Sequence, residues 1–174
     1  MSGQLYSMNS LGSTKSREIA NFIRSYSNYY VLDTYDNVTE HTNHSVIYPI
    51  CICGFDSMDA RRIAFNLWKD NATNSISKNK YVFIDGRLAA EEFQIYCISG
   101  DRQDLIDKYE KTALFADSEA EQTQCSYKQT SFCAAMIASF IISILVNSIY
   151  NLTSPDIPRF VPYFTYYNAE LMML

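Results

Sequence analysis

Strand and helix signals alternate along this chain, and the alternation predicts an α/β domain, Rossmann-like, with a mostly parallel sheet flanked by helices. Two observations carry that expectation. Short β-branched and aromatic runs end in acids or turn residues, and the stretches between them repeat apolar residues at steps of three and four. The 174 residues, 48% hydrophobic and 19% charged, supply a core for a single domain over residues 1–174 and exclude wholesale disorder.

The elements follow in order. Residues 4–8 form a short, ambiguous run before a turn ending at Gly12. Beyond it Ile19, Phe22, Ile23 and Tyr26 share one face of a helix, with Lys15, Arg17 and Glu18 toward water. The run YYVLD at 29–33 is β-rich, and the polar residues 34–45 read as a loop. Residues 46–55 form a second β-rich run, interrupted by Pro49. Ala60, Ile63, Ala64 and Leu67 restore helical spacing over 59–68. A polar connector, 70–80, leads to the strand YVFID at 81–85, closed by a turn at Asp85-Gly86. Residues 93–98 are strand-like. Thr130 or Ser131 then caps an apolar helix, whose stretch 132–146 is broken only by Ser139 and Ser143. At about 1.5 Å per residue that stretch falls short of a roughly 30 Å hydrocarbon core, so a helix buried inside the protein is expected, not a membrane span.

Charge and cysteine usage narrow the function. Fourteen basic against nineteen acidic residues leave a net charge of −5, with no basic excess to displace counterions, so no nucleic-acid partner is expected. The five cysteines, at 51, 53, 97, 125 and 133, contain no C-x-x-C pair. A disulfide framework leaves one over and a zinc site lacks its spacing, so free thiols in a reducing, intracellular setting are expected. The opening residues MSGQL have no basic or apolar region of a signal peptide. Asp33, Asp56 and Asp85 sit at or just beyond predicted strand ends. Singly each is a turn former or helix cap; together they line the edge where α/β sheets bind ligands.

Several blocks, in order, resemble the ThiF-like family, the adenylyltransferase fold of ubiquitin-activating enzymes and their bacterial relatives. They are FDSMDARR at 55–62, IDGRLA at 84–89 and CSYKQT at 125–130, within a likeness that runs from about Leu5 to the C-terminus. The resemblance implies an ATP site in which a strand, a glycine-rich turn and a helix N-terminus hold the phosphates. The matching stretch is SMNSLGS at 7–13, which makes Gly12 and Ser13 nucleotide-binding candidates. Ser7 and Asn9 replace the first two glycines, and a Cβ there intrudes on the phosphate approach. An ordinary strand-to-helix turn is the competing reading. Asp33 or Asp36 matches the family's ribose-binding acid, and DNVTEHT at 36–42 resembles the run that follows it. Ser45 and Val46 stand at the positions of an Arg-Gln pair, and the phosphate-binding Lys has no counterpart. Asp56 matches the acid that holds magnesium, with Ser57 in place of the usual Asn. Arg61 and Arg87 match recurrent basic positions; the alternative is that they tie helix and strand ends to nearby acids. Cys125 lies where some members carry a cysteine, but nothing near it in sequence lowers its pKa, so a plain thiol is expected.

Adenylation expels pyrophosphate, and one preorganised positive donor is typically worth about 3–4 kcal/mol to that step. Losing the Arg and the Lys together removes on the order of 10⁴-fold in rate. The resemblance therefore implies a degenerate, non-catalytic member that serves as a structural or assembly subunit, of the kind a viral or phage genome or particle carries. Asp56 and Arg61 are then vestiges, no cofactor is needed, and the partners are proteins or further copies of the chain. The aromatic-rich residues 155–174 are either an interaction tail or a C-terminal strand on their own domain. The alternative is an adenylyltransferase that uses ATP and magnesium (on Asp56) to activate the C-terminal carboxylate of a ubiquitin-like or sulfur-carrier protein.

Overall fold

The computed structural model describes residues 10–115, 130–154 and 156–173. The chain divides into two compact units, Gly3–Asn37 and Val38–Leu174.

In the first unit the expected helix forms as α1, Lys15–Tyr26. Gly12, at φ +87°, makes the turn before it, and the Thr14 side chain caps it by accepting from the Arg17 N–H. The β-rich run at 29–33 does not become a strand. No strand occurs among the described residues of this unit, so its N–H and C=O groups have no ladder to join. Instead Arg24 donates to the Val31 carbonyl and to Asp33. The apolar stripe of α1 stays open to solvent, with Phe22 63% and Tyr26 79% exposed.

The second unit is α/β, but its sheet is mixed, which corrects the mostly parallel expectation. Four strands, β1 (Ile50–Cys53), β2 (Val82–Leu88), β3 (Glu92–Ser99) and β4 (Phe164–Asn168), lie in sequence order. Only β1 and β2 are parallel; β2/β3 and β3/β4 are antiparallel. The physical reason is connection length. Helix α2 (Met58–Thr73) crosses over between β1 and β2, whereas residues 89–91 join β2 to β3 as a hairpin, which permits only antiparallel pairing. Of the aromatic C-terminal run, Phe164–Asn168 is β4.

Alternation along the strands builds two cores. Phe83 and Ile98 meet Phe65, Trp68, Ile106 and Tyr109 from α2 and α3 (Gln103–Thr112). On the other face Val82, Ile84, Phe93 and Ile95 meet Cys133, Ile137 and Ile144 of α4, Ser131–Thr153. α3 is a helix that sequence reasoning missed; the close spacing of Leu105, Ile106 and Tyr109 was its signal.

Several boundaries move for identifiable reasons. Pro49 lacks an N–H, so β1 starts after it; its carbonyl accepts from both Val82 N–H and Trp68 Nε1. The buried face of α2 includes the predicted Ala64 and Leu67 but extends to Met58, Arg61, Phe65 and Trp68, and the helix runs on to Thr73. Asp85-Gly86 is not a turn: both residues are paired inside β2, opposite Tyr96 and Ile95. Thr130 is the N-cap of α4, yet its hydroxyl donates to the Ala90 carbonyl. α4 is long and apolar enough by length and composition to cross a membrane, but one face of it packs on the sheet. It is also not buried all round, since Ile142 and Val146 face outward.

Phe65 is fully buried, with its ring 4.7 Å from Tyr109 and 5.3 Å from Phe83. Phe65→Ala should cost about 3–5 kcal/mol, read as a lower urea midpoint with an unchanged slope.

Candidate functional site

The parallel pair β1/β2 ends at a cleft of about 540 Å³. Gly54, Phe55 and Asp56 of the β1–α2 turn form one wall, Glu92 and Gln94 of β3 another, and Ile137 and Ile141 of α4 the side. This is where an α/β sheet offers a crevice, outside the carboxyl end of its strands. Asp56 stands exposed beyond β1, as expected. Ser57 is the N-cap of α2 and accepts from the Ala60 N–H.

Beneath the cleft lies a buried ionic cluster. Asp85 is fully buried in the middle of β2, on the face covered by α2 and α3, so it does not line a strand end. Arg61 comes from the buried stripe of α2, and its Nη1 donates to Asp85 Oδ1. The same nitrogen donates to the Gly86 carbonyl at 3.2 Å, and Nη2 donates to the Phe55 carbonyl. Arg87, two residues along β2 and therefore on the same face, donates from Nε to Asp85 Oδ2 at 2.7 Å. Its Nη2 donates to the Ala113 carbonyl at 2.9 Å and to the Tyr109 hydroxyl at 3.4 Å. Tyr109 in turn donates to Asp85 Oδ2 at 2.8 Å. The Arg87 guanidinium lies 4.7 Å from the centre of the Tyr96 ring.

The electrostatics follow from this geometry. Burial pushes the Tyr109 hydroxyl well above its ordinary range, and the Asp85 carboxylate adds to the shift, so Tyr109 stays a donor. Burial alone lowers Arg87; the Asp85 carboxylate and Tyr109 more than offset this, and its pKa ends raised. Burial, then Asp85, pushes the Cys51 and Cys53 thiols up to about 11 and about 12. Burial also lifts Cys97 to about 11, opposed by its hydrogen bond with Ser148. These are inert, packed thiols, and Cys133 is buried with them. Cys125 lies outside the described residues.

Arg61 and Arg87 are the only cations among the described residues lining the cleft, and their side chains keep just 7% and 13% of their exposure. Their donors point inward, to Asp85 and to carbonyls. The charges left at the opening are Asp56 and Glu92, the latter accepting from the Tyr166 hydroxyl at 2.7 Å. Arg62, outside the lining, donates to Asp59 and to the Phe115 carbonyl. Among the described residues no group of three His, Cys, Asp or Glu converges to hold a metal. Among the described residues, the opening therefore presents two carboxylates, while the two lining cations are engaged by Asp85 and by carbonyls.

The remaining candidates lie in the first unit. Gly12 and Ser13 border a shallow hollow with Arg17, Glu18 and Asn21. Hydrogen bonds from Ser10 and then Ser13 hold the Glu18 carboxyl below its usual range. A carboxylate therefore already occupies the first turn of α1, the end of a helix that attracts anions. Asp33 is paired with Arg24 at 3.1 Å, and Asp36 is exposed. Ser7 and Asn9 lie outside the described residues. No model of a known protein family matches the chain, and no curated protein matches it.

Removing one partner of a buried ion pair typically costs about 3–5 kcal/mol. Asp85→Ala strands two guanidiniums at once, and we expect it to abolish cooperative unfolding or lower stability by at least that amount, measured by urea denaturation. The thiols give a pH signature. They ionise near 9.0 when unfolded and near 11 to 12 when folded. The stability they contribute is therefore full below about pH 9 and is lost as pH rises through 11 to 12. Urea midpoints at pH 8 and about pH 10.5 should differ in that direction, and Cys51→Ala with Cys97→Ala should flatten the difference.

Proposed function

We propose that this chain is a reduced ThiF-like adenylyltransferase fold that has lost catalysis and works by contact, as a structural or assembly subunit. One observation carries the reading: both arginines at the cleft have their donors directed into the protein, by Asp85 and by the carbonyls of Phe55, Gly86 and Ala113. A group that stabilises charge on departing pyrophosphate must aim at it. These aim away. Releasing either one would strip the buried Asp85 of one of its two cationic partners, so nucleotide binding would have to offset that cost first. The Glu18 carboxylate on the first turn of α1 supports the same reading, because a negative charge already at that end of the helix disfavours a phosphate there.

An active adenylyltransferase completed by a partner's cations draws on a single feature, the exposed Asp56 at the cleft mouth. ATP-dependent exchange of labelled pyrophosphate separates the two readings. The proposal expects no exchange above background, with or without ubiquitin-like and sulfur-carrier proteins. Exchange that Asp56→Ala abolishes would overturn it.

A further inference from the structure

The sheet ends on one side at β1, and a single bond sets the phase of that edge. Val82 N–H donates to the Pro49 carbonyl, so in the parallel register Cys51 and Cys53 direct their N–H and C=O groups to β2. The same groups of Ile50 and Ile52 point away from the sheet. Among the described residues no strand lies beyond them and no backbone group bonds to them on that side. Each of the two residues offers one donor and one acceptor, in line along the edge. Natural edges are guarded by Lys, by Pro or by a covering segment. β1 reads ICIC and holds neither residue. The opposite edge differs, since β4 is closed at its end by the bridge between Asn168 and Met173.

The cleft adjoins this open edge. Ile52, 48% exposed, lines it from β1, with Ile137 and Ile141 of α4 as the facing wall. A strand laid beside β1 would set alternate side chains against that apolar surface, at the two-residue period of the pleat. One end of it would reach Asp56, which stands exposed just beyond β1, and Glu92 shares the same opening. Two carboxylates there favour a Lys or Arg and disfavour the free carboxylate of a chain end. We propose that β1 is a docking edge, on which an internal extended segment of a partner protein, apolar at alternate residues and carrying a Lys or Arg, pairs with Ile50 and Ile52 and seats its side chains in the cleft.

Backbone bonds of this kind supply affinity, and the pockets for alternate side chains supply specificity. A second copy of the chain paired edge to edge does not meet the description. Residues 46–56 hold no Lys or Arg, so that pairing leaves Asp56 without a cation and adds a net charge of −5 from each copy. The short edge calls for a weak, transient complex, with a Kd on the order of 100 μM. The inference rests on the reading of the chain as a subunit that works by contact and names its surface; pyrophosphate exchange tests that reading, and peptide binding tests this one.

The probe is the peptide acetyl-KVTVTVK-amide, which has a lysine at either end and no free carboxylate, so pairing in either direction brings a cation to Asp56. Amide exchange of the full chain, followed by nitrogen-15 NMR, should be faster at Ile50 and Ile52 than at Cys51 and Cys53. Peptide at about 1 mM should slow Ile50 and Ile52 about tenfold. The same peptide with Glu for both Lys should bind at least about tenfold more weakly, and Asp56→Asn should narrow that difference. Ile52→Pro removes an outward N–H that β2 does not use, so circular dichroism should be unchanged while binding is lost. Ile52→Val keeps the N–H and should bind as the wild type does. Unchanged exchange at Ile50 and Ile52, equal binding of the two peptides, binding that survives in folded Ile52→Pro, or protection that grows with protein concentration in the absence of peptide would each overturn the proposal.

Discussion

A carboxylate with no water around it organises the second unit. Asp85 sits at the centre of β2, where alternation points it at α2 and α3, and an ionised group in that position needs every lone pair met. Arg61 meets it from α2, Tyr109 from α3, and Arg87 from β2 itself. The contacts that satisfy the charge thereby fix the register of two helices on the sheet. Arg61 goes further, reaching the Phe55 carbonyl beyond β1, so the turn that forms the cleft wall is held by the same guanidinium.

The opposite face of β2 carries the complementary constraint. Gly86 presents no side chain, and a Cβ built there would come within 2.9 Å of Ile141 Cδ1 and 3.4 Å of Ile137 Cδ1. α4 therefore lies close over the strand at the point where Asp85 and Arg87 face the other way. One short segment, Asp85-Gly86-Arg87, sets the ion cluster on one side and the helix approach on the other. That arrangement explains why the segment resembles a turn in sequence yet lies in mid-strand: an acid and a glycine are turn residues by propensity, and here tertiary pairing outweighs propensity.

Much of the architecture was legible in the residues. The helical spacing at 15–26 and 59–68, the apolar strands at 81–85 and 93–98, and the start of the long helix at Thr130 and Ser131 all correspond to elements. What failed depended on partners distant in sequence. YYVLD at 29–33 has strand propensity but no described neighbour to pair with, and the hairpin at 89–91 turned an expected parallel sheet into a mixed one. For the site, Asp56 stood out as an acid just beyond a predicted strand end and Arg61 only through the family resemblance, and the alternative that Arg61 and Arg87 tie helix and strand ends to acids matches their geometry. The role of Asp85 was not legible. Its burial depends on which face α2 and α3 cover, and its period-two relation to Arg87 was the one available hint. Tyr109 was missed with its helix.

The functional reading reduces to the direction in which two guanidiniums point. Groups that hold a buried acid are preorganised for that acid and are poor at stabilising charge elsewhere. The most direct measurement is nitrogen-15 NMR of the Arg61 and Arg87 side chains, assigned by Arg61→Lys and Arg87→Lys. The account predicts slowly exchanging guanidinium protons for both residues, with shifts that magnesium ATP at about 5 mM leaves unchanged. Saturable movement of either signal on adding nucleotide would show the cluster opening toward a ligand, and would contradict it.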